Sequence, residues 1–321
     1  MNNVPVLQGN FQSTAELSVA ISSNGWEADI RQLDRGPGSA RFNTILGPAS
    51  IFQEVRFERK VQQYVSPIQG FVNFGLLSTS LSETRIGSQT ISSSSLLCMH
   101  EDSFESVSQP SFQACTLSFE KNRILELAEL LQIVLPDAFK SCGGLEFIPD
   151  QGRLDQVRSL LAQVSVYAQK FSLPSGHSDE VTSLIESEVL TQLLLFTAGT
   201  PGVKLASSRN RALVLRRALA YIEAHPGEAL TVEALCRASA SSMSTLERAF
   251  QEHFGMGPKR YILVQRLHRA HLGLIKEHRD RKVVDIANES GFWHMGKFAS
   301  DYEALFGYLP SQTKLRAITP T

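Results

Sequence analysis

The sequence predicts an α+β protein of two domains: an N-terminal small β-barrel or jelly-roll-like domain with appended helices, and a C-terminal all-α domain with two helix-turn-helix motifs joined by a linker helix. Three observations predict it. A stretch near the C-terminus occurs twice, Phe254-Gly255-x-x-Pro258 returning 52 positions later as Phe306-Gly307-x-x-Pro310. The chain starts with a long Ser-, Gly- and Phe-rich region of short apolar runs, the pattern of many short strands. Charge divides the same way: residues 205–321 carry 17 Lys and Arg against 11 Asp and Glu, whereas residues 1–204 carry 14 against 21.

In the front part, Gly70 to Leu77 and Ala114 to Phe119 read as strands, and Gly36-Pro37-Gly38, Gly47-Pro48 and Ser66-Pro67 read as turns. The serine cluster Ser92 to Ser95 reads as a loop or strand edge. Helical spacing begins at residues 121–133. After Gly143-Gly144 and Gly152, the positions Leu154, Val157, Leu161, Val164, Ala168 and Phe171 alternate steps of three and four, the spacing of a coiled-coil seam. That seam serves either pairing with a twin subunit or packing on the chain's own barrel. Val181, Leu184, Ile185, Val189, Leu193 and Phe196 mark a further helix, and residues 199–210 read as a linker.

Each copy of the C-terminal repeat predicts a short helix, a tight turn and a second helix. In the first copy Thr231 is the expected N-cap of Val232 to Ser239, and Leu246, Phe250 and Phe254 form a buried stripe. In the second, Ile286-Ala287 supplies the inner face, Gly291 the corner, and Phe298, Tyr302 and Phe306 the stripe. Cys236 and Ala240 stand where the second copy has Ala287 and Gly291, and Trp293 beside the corner reads as packing. Between the copies, residues 259–274 form a helix whose length fixes the separation of the outer helices; successive major grooves lie ~34 Å apart.

Pro258-Lys259-x-Tyr261-Ile262-x-x-x-Arg266-Leu267, Gly291-Phe292-x-His294-x-Gly296-x-Phe298-Ala299-x-x-Tyr302 and Phe306-Gly307-x-x-Pro310-Ser311-x-Thr313 together resemble the DNA-binding domain of the AraC/XylS family of transcription regulators. The Phe292-x-His294-x-Gly296 segment resembles the XylS-type branch. The resemblance covers residues 211–316 and implies an effector-binding and dimerisation domain over residues 1–198, a linker at 199–210 and a double helix-turn-helix domain at 211–316. It also implies a homodimeric bacterial activator of transcription that works on double-stranded DNA with RNA polymerase, under a small-molecule effector. The XylS-like guess for that effector is an aromatic or organic acid, and Gln312-Thr313-Lys314 departs from that branch's pattern.

With the stripes inward, the faces turned to DNA comprise Ser242, Ser244, Thr245, Glu247, Arg248 and Gln251 in the first copy, and His294, Met295, Gly296, Lys297, Ala299 and Ser300 in the second, next to Asp301. Arg248 is the strongest expectation, because its fork matches guanine O6 and N7. Glu247 either accepts from a cytosine amino group or orients Arg248. Met295 and Ala299 suit thymine methyls and Lys297 a phosphate or guanine, so the second motif reads shape more than sequence. Arg41, Arg56 and His100 are the candidate effector contacts, and Leu154, Val157, Leu161, Val164 and Ala168 the candidate dimer seam.

Other classes fit less well. Only His100 and His177 precede residue 205, too few to build a cupin-type metal centre. No metal site, cofactor or nucleophile motif is expected, so the sequence argues against an enzyme. An architectural, sequence-tolerant DNA binder would be more basic and would not need the acidic front part. No run of ~18 apolar residues is present, and Met1-Asn2-Asn3 does not start a signal peptide. Cys98, Cys115, Cys142 and Cys236 lack a paired spacing, and together these features predict a cytoplasmic protein.

Overall fold

The computed structural model describes residues 8–23, 27–46, 49–66, 68–77, 83–87, 89–100, 104–135, 143–147, 151–171, 179–198, 202–204, 210–226, 228, 230–276 and 281–318. In the N-terminal part, β1 (Gln8–Phe11) and helix α1 (Thr14–Ser23) precede β2 (Glu27–Gln32), β3 (Ala40–Leu46), β4 (Ser50–Phe57), β5 (Val61–Ser66) and β6 (Phe71–Leu77). Then come β7 (Thr84–Ile86), β8 (Gln89–Ile91), β9 (Leu96–His100), β10 (Phe104–Ser108), β11 (Phe112–Glu120), α2 (Lys121–Leu130), β12 (Gly143–Phe147), α3 (Gln151–Phe171), α4 (Asp179–Ala198) and β13 (Gly202–Lys204). Two antiparallel sheets result. One runs β1-β3-β4-β11-β6-β9-β12-β13 and the other β2-β5-β10-β7-β8.

Side chains on successive strand residues point to opposite faces, so each sheet serves two layers. On the eight-stranded sheet, Phe52, Phe74, Leu96, Leu117 and Phe119 pack under α2, α3 and α4 with Leu154, Val157, Leu161, Leu190 and Leu193. Its other face, with Phe42, Val55, Asn73, Leu97 and Ser118, looks into a cavity of about 150 Å³ shared with the second sheet. The second sheet turns Ala28, Ile30, Gln63, Val65 and Ser106 to that cavity. Its outer face carries Arg31, Gln62, Tyr64 and Glu105 and meets the C-terminal domain.

The C-terminal domain is helical: α5 (Asn210–Ala224), α6 (Val232–Ser239), α7 (Met243–Phe254), α8 (Pro258–Lys276), α9 (Val283–Glu289), α10 (Met295–Phe306) and α11 (Pro310–Ile318). The expected stripes are its core, with Leu246, Phe250 and Phe254, and Phe298, Tyr302 and Phe306, each 2% exposed or less. Leu33 and Val107 from the β domain belong to the same buried cluster, so the two domains share one apolar seam.

Two expectations change, and the glycine pair before α3 gains a place. The Gly143-Gly144 pair sits in a strand, β12, paired with β9 through Gly143 opposite His100. Residues 202–204 of the expected linker form β13, which extends the same sheet by pairing with β12. The seam on α3 is not free for a twin subunit, because Leu154, Val157 and Leu161 are 1%, 3% and 5% exposed inside their own chain's core. The side chains of Val164 and Ala168 lie outside the described residues.

Candidate nucleic-acid interface

Local sequence builds the two helix pairs by different means. In the first, the Thr231 hydroxyl accepts from Ala234 N at 3.2 Å and the Ser242 hydroxyl from Thr245 N at 3.3 Å, so both helices start on a side-chain cap. Its corner bends at Ala240, in the left-handed region at φ 51°, a backbone state that costs an L-residue ~1–2 kcal/mol. In the second pair Gly291 takes the corner at φ 86° without that penalty, while Lys282 and His294 provide no side-chain cap. Gly255 and Gly307 end α7 and α10 in matching left-handed turns.

Of the predicted contact set, Ser242, Ser244, Glu247, Arg248 and Gln251 on α7 are exposed and Thr245 is half-buried. Ser242 is engaged as the cap, and its hydroxyl also lies 2.9 Å from Thr245 Oγ1. Glu247 lies back over Gly257, its Oε2 standing 2.7 Å from where a Cβ on that glycine would be, so its carboxylate points along the helix toward α8. On α10, His294, Gly296, Lys297 and Ser300 are exposed, while Met295 and Ala299 are half-buried. Met295 packs against the domain core, which leaves less of it for a thymine methyl. Lys297 Nζ donates to Asp301 Oδ1 at 2.7 Å, an i,i+4 pair on an open surface.

Trp293 does not pack as expected; it is 76% exposed. Phe292 takes the inward place, its ring 4.8 Å from that of Phe298, and the next residue of a non-helical link is turned outward. An indole therefore stands beside His294 at the start of α10. The usable signal is the Phe292-Trp293 doublet, since only one of two consecutive rings can enter the core at a one-residue link.

Helix α8 is the strut between the pairs, and it is seated on the outer face of the five-stranded sheet. Tyr261 Oη donates to Gln62 Oε1 at 2.8 Å, and Gln265 Nε2 donates to the same oxygen at 3.3 Å. His268 Nε2 donates to Gln32 O at 2.7 Å, and His271 Nε2 lies 3.2 Å from Ser13 Oγ. His271 Nδ1 also bonds the Tyr302 hydroxyl, which lies 2.6 Å from Thr313 Oγ1. Burial pushes the His268 pKa down to about 4, with Arg31 adding repulsion, and that of His271 down to about 3, with His268 adding to it. Both rings are thus neutral at pH 7.

The β domain also holds the C-terminal ends of both outer helices. Lys60 Nζ donates to Phe254 O at 2.8 Å at the end of α7. Gly36 N donates to Leu305 O at 3.1 Å, and Gln32 Nε2 donates to the same carbonyl at 2.8 Å, at the end of α10. These contacts satisfy last-turn carbonyls that a helix leaves unpaired, and they leave the N-terminal turns of α7 and α10 uncovered. His253 Nε2, on the inner side of α7, lies 3.2 Å from Glu105 Oε1.

Arg41 and Arg56 do not line the cavity between the sheets. Arg41 and Arg56 face each other across β3 and β4 on the outer side of the sheet, where Arg41 Nε donates to Asn10 Oδ1 and Arg56 Nη2 to Gln113 Oε1, both at 2.8 Å. Their neighbours Phe42 and Val55 take the cavity side, because adjacent strand residues alternate. The His100 side chain lies outside the described residues. Among the described residues no three His, Cys, Asp or Glu side chains gather to hold a metal ion, and no helix is long and apolar enough to cross a membrane.

A buried apolar stripe, a capped corner and a polar outer face define the C-terminal helices as a helix-turn-helix unit. Known proteins agree: a family model described as a helix-turn-helix domain matches residues 235–316. The XylDLEGF operon transcriptional activator 3 of Pseudomonas putida is 33% identical over 101 residues, 31% of this chain and 30% of that protein. The HTH-type transcriptional activator RhaS of Escherichia fergusonii is 28% identical over 193 residues, 56% of this chain and 66% of that protein. A solved AraC-type transcriptional regulator from Chromobacterium violaceum is 28% identical and covers 34% of this chain and 95% of that one, with a TM-score of 0.32. The matched stretches span from under a third to just under two thirds of these curated relatives. The C-terminal domain is similar to the helix-turn-helix domains of AraC/XylS-type regulators.

Proposed function

We propose that this protein is a sequence-specific DNA-binding transcription regulator, an activator of the AraC/XylS type, governed by a small molecule held in the β domain. One observation carries it: α7 presents Ser244, Arg248 and Gln251 to solvent directly opposite a fully buried stripe, with its N-terminal turn open and its C-terminal turn held by Lys60. Helix-turn-helix proteins place that N-terminal part in the major groove. The α9–α10 pair serves as a second motif, and α8, at 19 residues, is a rod of about 28 Å that keeps the two at fixed spacing. The space between the sheets supports a small-barrel reading of the β domain. Homodimers and RNA polymerase are the partners this function calls for, with promoter DNA in repeated sites.

In this reading Arg248 grips a guanine, Ser244 and Gln251 flank it, and Lys297 meets a phosphate. The half-buried Met295 and Ala299 leave α10 few base-reading groups, which supports readout of shape there. The rival is an architectural binder indifferent to sequence. Selection of bound fragments from a random DNA pool, followed by competition with unselected DNA, decides between them. A regulator of this type recovers a recurrent motif and prefers it by ~10³-fold or more; recovery of no motif sinks the reading.

A further inference from the structure

Resting on the reading of an effector-controlled β domain, we infer that the cavity between the two sheets takes an uncharged, predominantly apolar molecule of single-ring size, oriented by one hydrogen bond to the Thr84 hydroxyl. The cavity measures about 150 Å³ and is walled by both sheets, with Ile30, Phe42, Val65 and Leu97 among its apolar surfaces. An apolar cavity of ~150 Å³ in a protein core is large enough to admit benzene.

Its polar groups fix the chemistry. Among the described residues no Arg, Lys or His lines it, and the one carboxylate there is Glu27, at the exposed start of β2. An organic anion would have to shed its water with no cation to receive it and with a carboxylate nearby, which disfavours acids strongly. Of the two buried amides on the cavity wall, Asn73 and Gln63, that of Asn73 is already committed. Asn73 Oδ1 accepts from Ser118 Oγ at 2.5 Å, and Asn73 Nδ2 reaches Met99 O at 3.5 Å. Thr84 is different: it is 4% exposed, it lines the cavity, and among the described residues its hydroxyl has no hydrogen-bond partner. A ligand carrying one hydroxyl or carbonyl would give that buried hydroxyl a partner.

The test uses the full chain and three probes built on one methyl-bearing ring: 4-methylphenol, toluene and 4-methylbenzoate, each titrated by calorimetry and by thermal shift. Expected are saturable binding of 4-methylphenol, weaker binding of toluene and none of 4-methylbenzoate. Thr84→Val, which keeps the shape and removes the hydroxyl, should weaken 4-methylphenol by roughly three- to tenfold while leaving toluene unchanged or tighter. Toluene binding also reports that the variant is folded. Binding of the benzoate as tightly as the phenol, absence of binding by both neutral probes, or equal loss of phenol and toluene in Thr84→Val each overturns the inference. DNA affinity is read separately with and without 4-methylphenol. If the phenol binds without altering DNA affinity, the ligand class stands and effector control of DNA binding falls.

Discussion

The two helix pairs are built to one plan and finished differently. The first has side-chain caps at Thr231 and Ser242, a strained alanine corner and an exposed arginine fork on its outer face. The second has no side-chain caps, a relaxed glycine corner, a lysine tied to Asp301 and a bare indole at Trp293. The seating differs as well. The first is held to the β domain through Lys60 and the His253–Glu105 contact, whereas the second is held through Gly36 N and Gln32 Nε2, which both donate to Leu305 O. The difference teaches that a repeated fold need not carry a repeated role. One pair has groups suited to naming bases, and the other has a seat suited to fixing position.

The largest effect that sharpens this contrast is acid. His268 and His271 both pack on Phe306 and are held neutral, with pKa values pushed down from 6.5 to about 4 and about 3. The unfolded chain therefore takes up protons first, so stability is full above pH 6.5 and falls as pH drops toward 4 and then 3. Unfolding free energies from urea titrations at pH 7 and pH 5 should differ by about 2 kcal/mol per ring, and His271→Gln should flatten part of that slope. An unchanged slope would mean the ring is not held neutral.

Next come the paired glycines. Gly255 and Gly307 both have positive φ, but a Cβ on Gly255 meets only the flexible end of Lys60 at 3.0 Å, whereas one on Gly307 meets Pro37 Cδ at 2.6 Å and its backbone N at 2.7 Å. Gly255→Ala should cost about 1 kcal/mol from the backbone alone, and Gly307→Ala about 2–3 kcal/mol. Equal losses in denaturant unfolding would erase the distinction between a flexible and a rigid seat.

The smallest effects are at the outer faces. Arg248→Ala should lose about 1–3 kcal/mol of DNA affinity and relax one base position, while Lys297→Ala should lose less than about 1 kcal/mol on every sequence and lower the salt slope by about 1. Matching base-selective losses from both variants would make the two pairs equivalent readers after all.

Much of this is legible in the residues because periodic burial is local. The stripes at Leu246, Phe250 and Phe254 and at Phe298, Tyr302 and Phe306, the cap at Thr231 and the rod over 259–274 follow from spacing and capping chemistry. The misplacements share another cause. Arg41 and Arg56 suit an effector by residue type, yet which face a strand residue takes depends on pairing register, which only the folded sheet displays. Leu154, Val157 and Leu161 have a seam's spacing, but spacing does not say whether the partner is a neighbouring subunit or the chain's own sheet. Strands β12 and β13 gain their stability from edges supplied far away in sequence. The buried histidines on α8 read as ordinary helix residues until the surface they press against is known.

Strand β5 serves two clients. Gln63 and Val65 face the cavity, while Gln62 meets α8 and its neighbour Tyr64 points the same way, so odd and even positions belong to different surfaces. On the proposed reading, ligand preference is retuned at the odd positions without disturbing the joint between the domains. The reverse holds for the even ones. In that reading this strand is a dial whose marks for chemistry and for mechanics are engraved on opposite sides.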